Sequence, residues 1–250
     1  MEVRDKIGTV ESYSALIQRK MKSLENDKKQ IEYVIEKEKE GEQAYSIPNN
    51  QVLTNFRISD IGLRLKILLA TYSMGEDIGK VREQYPAIVS LISDTWEEVT
   101  YVPMIQMLSI GILININNVE FDKLVEVVKK DKDHDFLIDF LIHYRDPDWH
   151  ITMDSFMHPT PYQCVQDIVF LAKTAKEVAV STLRKYLTKQ WYRGHSDEGW
   201  YNIHKTCINL HQGYWSFESG ALVKILGLDD SSLKGLQYYP YDMVHWSDTK

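Results

Sequence analysis

Positive charge is scarce in this 250-residue sequence: 29 lysines and arginines face 36 aspartates and glutamates, for a formal net charge of −7. Affinity for a phosphate backbone comes largely from Lys and Arg displacing counterions, so an acidic chain without a basic stripe argues against nucleic acid as a partner. Cysteine is scarcer still. Cys164 and Cys207 each stand alone in an apolar pattern, far from any second cysteine at metal or redox spacing, and read as reduced core thiols rather than a disulfide. Long hydrophobic runs are missing too. The most apolar stretch, Met104 to Ile116, is interrupted by Gln106 and Asn115 and is shorter than the roughly 18 to 20 residues a bilayer span needs. It reads as a buried helix, and no membrane partner is expected. The opening MEVRDKIGTVESYS carries acids and no uninterrupted apolar stretch, which argues against a secretory signal and for a cytoplasmic location.

Motifs that carry chemistry are equally absent. There is no G-x-x-x-x-G-K-[ST] loop, no G-x-G-x-x-G turn and no G-x-S-x-G elbow, so nucleotide binding and acyl transfer lack a handle. Of the eight histidines, His134, His143, His150 and His158 share one acidic region. Their intervals of nine, seven and eight supply no recognised ligand spacing, and neither H-E-x-x-H nor a Cys/His quartet occurs. Asp131, Asp133 and Asp135 resemble the start of a calcium loop, but Phe136 stands where glycine is required and Ile142 where the closing glutamate should be. No metal, cofactor, small-molecule substrate or catalytic residue is expected.

What is present is helical periodicity. Val10, Tyr13, Ile17, Met21, Leu24, Ile31 and Val34/Ile35 recur on one face of a long charged helix that ends at Gly41. GEQAYSIPNN (41–50) is a connection, and a second helix runs to about Ser73. Shorter helices are predicted over 76–84, 87–100, 103–116, 119–130, 134–144, 161–172, 175–191, 199–211 and 214–226. No run of β-branched residues alternates strictly with polar ones. The fold class is all-α: an irregular multi-helix bundle of stacked helical hairpins in two closely packed halves, without the fixed period of a solenoid. HYRDPDWHITMDSFMHPTP (143–161) is the least periodic stretch. It places the boundary between an N-terminal domain, 1–145, and a C-terminal domain, 146–250, that ends in an aromatic tail docked on the body of the protein.

Charge is concentrated within the chain. Residues 119–160 hold ten acids and five bases, a local −5. Asp135 and Asp139 are four apart on one predicted helix, so they share a face. Such a pair reads as a solvated face, as acid–base machinery, or as repelling charges that a cationic partner would relieve.

The most distinctive segment is GYWSFESGALVKILGLDDSSLKGLQYYPYDMVHW, 213–246. Trp215, Phe217, Leu222, Ile225 and Leu226 describe a helix closed by Gly227, with Asp229 or Ser231 capping a short turn. Tyr238, Tyr239, Tyr241 and Trp246 then crowd around Pro240. The pairing of Trp215 with Glu218, the ALVKILGLDD helix end and the closing YYPYDMVHW resemble the C-terminal domain of the PoNe immunity (PoNi) family, bacterial proteins that neutralise a co-produced DNase toxin. The long charged first helix and IGLRLKILLATYSMGED (61–77) resemble its companion domain.

The resemblance implies an all-α, two-part fold without cofactor or catalytic residues, and a toxin partner of the PD-(D/E)xK nuclease type, encoded next door. It casts Trp215, Glu218, Pro240 and Asp242 as fold-supporting, with Glu218 or Asp242 accepting hydrogen bonds from backbone or tyrosine donors. Asp131, Asp133, Asp135, Asp139, Asp146 and Asp148 are the expected toxin-binding surface, facing basic residues around the nuclease cleft, with 193–205 as the next choice. The competing readings are a helical scaffold or regulator that binds another cytosolic protein, and a metal-dependent hydrolase using the Asp/His-rich 131–158 region.

Overall fold

Helical spacing of apolar residues produces helices throughout. The computed structural model describes residues 2–94, 101–130, 135–153 and 155–247, and none of these residues lies in a strand. They form two compact units, Met1–Val99 with His204–Gly213, and Thr100–Ile203 with Tyr214–Lys250. The expected domain boundary at 145/146 falls inside the second unit. Among the described residues no helix is long and apolar enough to cross a membrane.

In the first unit, α1 (Val10–Lys39) opens on a reciprocal cap. The Thr9 hydroxyl accepts from the Ser12 N–H, and the Ser12 hydroxyl accepts from the Thr9 N–H. The helix stops where Gly41 takes a left-handed φ of 74° and the Glu42 N–H returns to the Lys37 carbonyl. It packs on α2 (Asn49–Ser73), with Tyr13 and Leu16 buried against Ala70 and Met74. The predicted apolar stripe of α1 is fully buried only near its start and at Val34. Between Leu16 and Val34 no residue of the helix is fully buried, and Met21 is 56% exposed.

The expected break between 76–84 and 87–100 is corrected. A single helix, α3 (Ile78–Asp94), runs through Pro86, because the stripe Ile78, Val81, Tyr85, Ile88, Val89 and Ile92 continues across it and is buried. Burying six large apolar side chains outweighs the roughly 3 kcal/mol cost of an interior proline.

The helix expected over 199–211 is also corrected. Asn202 is left-handed (φ 58°) and Cys207 is extended, which leaves only α11 (Ile203–Thr206) and a 3₁₀ turn, Ile208–Leu210. Part of this segment belongs to the first unit, where other elements take up its carbonyls. Arg19 donates to the Asn209 carbonyl (2.6 Å) and the Ser73 hydroxyl to the Gln212 carbonyl (2.9 Å).

The second unit holds α4 (Tyr101–Leu113), α5 (Asn118–Val128), α6 (Phe136–His143), α7 (Pro159–Tyr162), α8 (Cys164–Ala172) and α9 (Lys176–Lys185). A π-helical turn, Tyr186–Trp191, leads from α9 into α10 (Tyr192–Gly194). After the excursion through 204–213 come α12 (Phe217–Leu226), a 3₁₀ turn Ser231–Leu233 and α13 (Tyr241–Val244). α4 is the predicted apolar helix and is buried nearly all round. α12 packs against it, and left-handed Gly227 (φ 58°) closes α12. The Asp229 carboxylate accepts from the Ser231 N–H to start the 3₁₀ turn.

The terminal aromatics return onto the helices. Tyr238 stacks on Tyr192 with centroids 5.3 Å apart and planes within 4°, and Pro240 is buried over Gly220. Both cysteines are free and half-buried rather than in the core, and burial pushes the Cys164 thiol up to about 12.

A Cβ added at Gly220 would sit 2.8 Å from the Pro240 ring and 3.0 Å from Val244. Gly220→Ala should therefore loosen the tail and cost about 1–3 kcal/mol, measured by urea unfolding. A variant as stable as the parent would show that the tail yields freely.

Candidate functional site

The acidic residues singled out by sequence fall into two groups. Asp131 and Asp133, like His134, lie outside the described residues. Asp135 and Asp139 are each only 1% exposed, which corrects the expectation that they share an exposed, partner-facing surface. Asp135 is the N-cap of α6. One carboxylate oxygen accepts from the N–H groups of Leu137 (2.8 Å) and Ile138 (3.0 Å), the other from the Tyr101 hydroxyl (2.8 Å) and the Met157 N–H (2.9 Å). Burial raises the Asp135 pKa, and these donors hold it back. Asp139 accepts from the Trp149 indole N–H (2.8 Å) and the Thr152 N–H (3.0 Å).

Together the two aspartates secure the chain between 149 and 157 against α6. His143 adds a contact of 2.8 Å from Nδ1 to the Trp149 carbonyl oxygen.

Asp146 and Asp148 lie on the turn after α6, half-buried and exposed respectively. The Asp148 N–H donates to the Asp146 carboxylate (3.2 Å). Arg145 ties this turn to the start of α5, donating to the Ile116 carbonyl (2.8 Å) and the Asn118 side chain (2.5 Å) and lying over the Phe121 ring.

The C-terminal motif contributes a third buried carboxylate. Glu218, 2% exposed, accepts from the hydroxyls of Tyr186 (2.8 Å) and Ser216 (2.5 Å) on one oxygen. Burial pushes its carboxyl above the usual range, opposed chiefly by the Ser216 hydrogen bond. Trp215 and Pro240 are buried, whereas Asp242 is exposed.

Tail closure instead uses Asp230, which the sequence reading did not single out. It is 5% exposed and accepts from the Tyr239 hydroxyl (2.6 Å) and pairs with His245 Nε2 (2.9 Å). The signal available in sequence was an aspartate just before a terminal tyrosine-rich run with a histidine beyond it. The alternative segment 193–205 contributes His195, which is buried and bonded to the Tyr162 hydroxyl (2.7 Å) and the Trp191 carbonyl (2.6 Å). Burial lowers its pKa. Among the described residues no three His, Cys, Asp or Glu side chains are grouped to hold a metal ion.

Two family models match the chain. The PoNe immunity protein (PoNi) N-terminal model covers 4–126, and the PoNe immunity proteins (PoNi) C-terminal model covers 133–243. No curated protein matches the sequence. Among solved structures, protein PA2201 from Pseudomonas aeruginosa is 16% identical, with 98% of each chain covered and a TM-score of 0.58, a likeness of fold.

Two outcomes follow from the buried carboxylates. Asp139→Ala strands the donors of Trp149 and Thr152, and urea unfolding should show a loss of about 1–3 kcal/mol. Parental stability with loss of partner binding would move Asp139 into the interface.

The second outcome concerns pH. A carboxyl whose folded pKa lies above its reference of 4.5 contributes fully below that pH and loses its contribution as pH rises through the folded value. Glu218→Gln keeps an acceptor for both hydroxyls without titrating. Its stability relative to the parent should therefore rise from acid to neutral pH; a constant difference would contradict a raised Glu218.

Proposed function

The chain belongs to the PoNe immunity protein (PoNi) family, and from that membership we propose that it binds and neutralises a cognate DNase toxin of the PD-(D/E)xK type. The family matches at 4–126 and 133–243 carry this reading. Physical chemistry supports it. A nuclease must attract DNA, so its substrate cleft is basic, and a partner of net charge −7 is drawn toward such a surface. On this reading neutralisation is stoichiometric binding in the cytoplasm rather than catalysis, the toxin is the neighbouring gene product, and no metal or cofactor takes part.

The test is to co-express the chain with the product of the adjacent toxin gene, isolate the complex, and titrate purified chain into a DNA-cleavage assay. Cleavage should fall in proportion to added chain and stop at a stoichiometric ratio. Undiminished cleavage in the presence of excess chain would refute the proposal. Loss of toxin activity at far below equimolar chain would point to catalysis instead.

A further inference from the structure

The outer face of α5 is exposed among the described residues. Its inner face buries Phe121, Leu124, Val125 and Val128, while Val119, Asp122, Glu126 and Lys129 point outward at helical spacing. Val119 is 68% exposed, an unusual position for a branched apolar side chain at the start of a helix. Beside it lies the turn after α6, where Tyr144 is 43% exposed. Arg145 brings the two together, because it follows Tyr144 directly and bonds to Asn118, the neighbour of Val119. Val119 and Tyr144 thus lie on two elements that Arg145 ties together, with Asp122 and Glu126 on the helix and Asp146 and Asp148 on the turn.

The lysines of α5 engage carboxylates on the same helix. Lys123 bonds to Glu120 (3.0 Å) and Lys129 to Glu126 (2.6 Å). The hydrogen bond to Glu126 raises the Lys129 pKa, with smaller contributions from the charges of Asp146 and Asp122. Asp122, Asp146 and Asp148 form no ion pair with any described residue, and with Glu120/Lys123 and Glu126/Lys129 paired these three carboxylates outnumber the two remaining cations, Lys130 and Arg145. An interface with this anatomy desolvates the apolar anchors and leaves charges at the rim to steer approach.

We propose that the outer face of α5 and the 144–148 turn form the docking surface for the toxin, with Val119 and Tyr144 as anchors and Asp122, Asp146 and Asp148 steering a basic region of the nuclease. The inference rests on the function proposed above and names the surface that carries it. Asp146 and Asp148 keep the role expected from sequence, while Asp122, Val119 and Tyr144 are new.

The probe is the purified toxin with its nuclease activity abolished, and association and dissociation are measured by surface plasmon resonance at low and high salt. Asp122→Lys with Asp148→Lys, both at exposed positions, should slow association on the order of tenfold at low salt, with the gap closing as salt screens it. Tyr144→Ala should mainly speed dissociation, again on the order of tenfold. Glu32→Lys with Glu36→Lys, exposed on α1, makes the same change in net charge and should leave both rates unchanged.

The proposed surface is overturned if Asp122→Lys/Asp148→Lys associates at the parental rate, or if the α1 variant slows equally. It is likewise overturned if folded Tyr144→Ala, checked by its thermal melt, dissociates at the parental rate. Failure of the parental chain to bind the toxin refutes the function itself, and the surface with it.

Discussion

A buried carboxylate has to accept hydrogen bonds, and that requirement holds the non-helical parts of this protein in place. Helices satisfy their own backbone and can pack through apolar stripes, but the connections between them have no sheet to join. Here each of several connections bonds to an acid on or beside a helix. Asp135 and Asp139 secure 149–157, Glu218 links the π-helical turn to the entry of α12, and Asp230 secures the tail through Tyr239 and His245. The same device recurs in the first unit, where Asp5 accepts from the Ile7 N–H and pairs with His211 across 2.8 Å. Removing one of these acids strands several donors at once, so each counts for more than a surface ion pair.

This requirement divides the acidic charge into two populations that composition cannot separate. The local excess over 119–160 was read as one surface, yet Asp135 and Asp139 face inward and their charge is spent on N–H and O–H donors. Asp122, Asp146 and Asp148 remain to meet solvent or a partner. The i,i+4 spacing of Asp135 and Asp139 placed them on one face of α6 but gave no information about which way that face points. α6 buries every residue from Phe136 to Ile142, so its faces carry no polar contrast from which orientation could be read.

Where a sequence pattern had contrast, it was informative. The C-terminal ends of α1 and α12 followed from Gly41 and Gly227 beside periodic segments, because caps and periodicity are local physics. Pro86 misled because a local breaker was overruled by a buried stripe. The 199–211 segment misled because helical spacing of Trp200, Ile203, Cys207 and Leu210 coincided with contacts made by residues distant in sequence, such as Arg19 and Ser73. The motif residues named Glu218 or Asp242 as the acid that accepts from tyrosine or backbone donors; Glu218 is buried and accepts from the Tyr186 hydroxyl, whereas Asp242 is exposed, and nothing in the local sequence separated the two.

The fold-holding role of the buried acids is physically compatible with the partner-binding role proposed for the exposed ones, because Asp135 and Asp139 are buried while Asp122 and Asp148 are exposed. Arg145 holds the 144–148 turn against α5 through a backbone carbonyl, a side-chain amide and an aromatic face. Asp139 anchors the far end of that turn through Trp149. A turn restrained at both ends presents Tyr144 and Asp148 in one arrangement before any partner arrives. Association then loses less conformational entropy than it would with a free loop. For a protein whose proposed task is to occupy a toxin rather than transform it, affinity depends on such preorganisation, to which buried Asp139 contributes by holding Trp149 at the end of the turn.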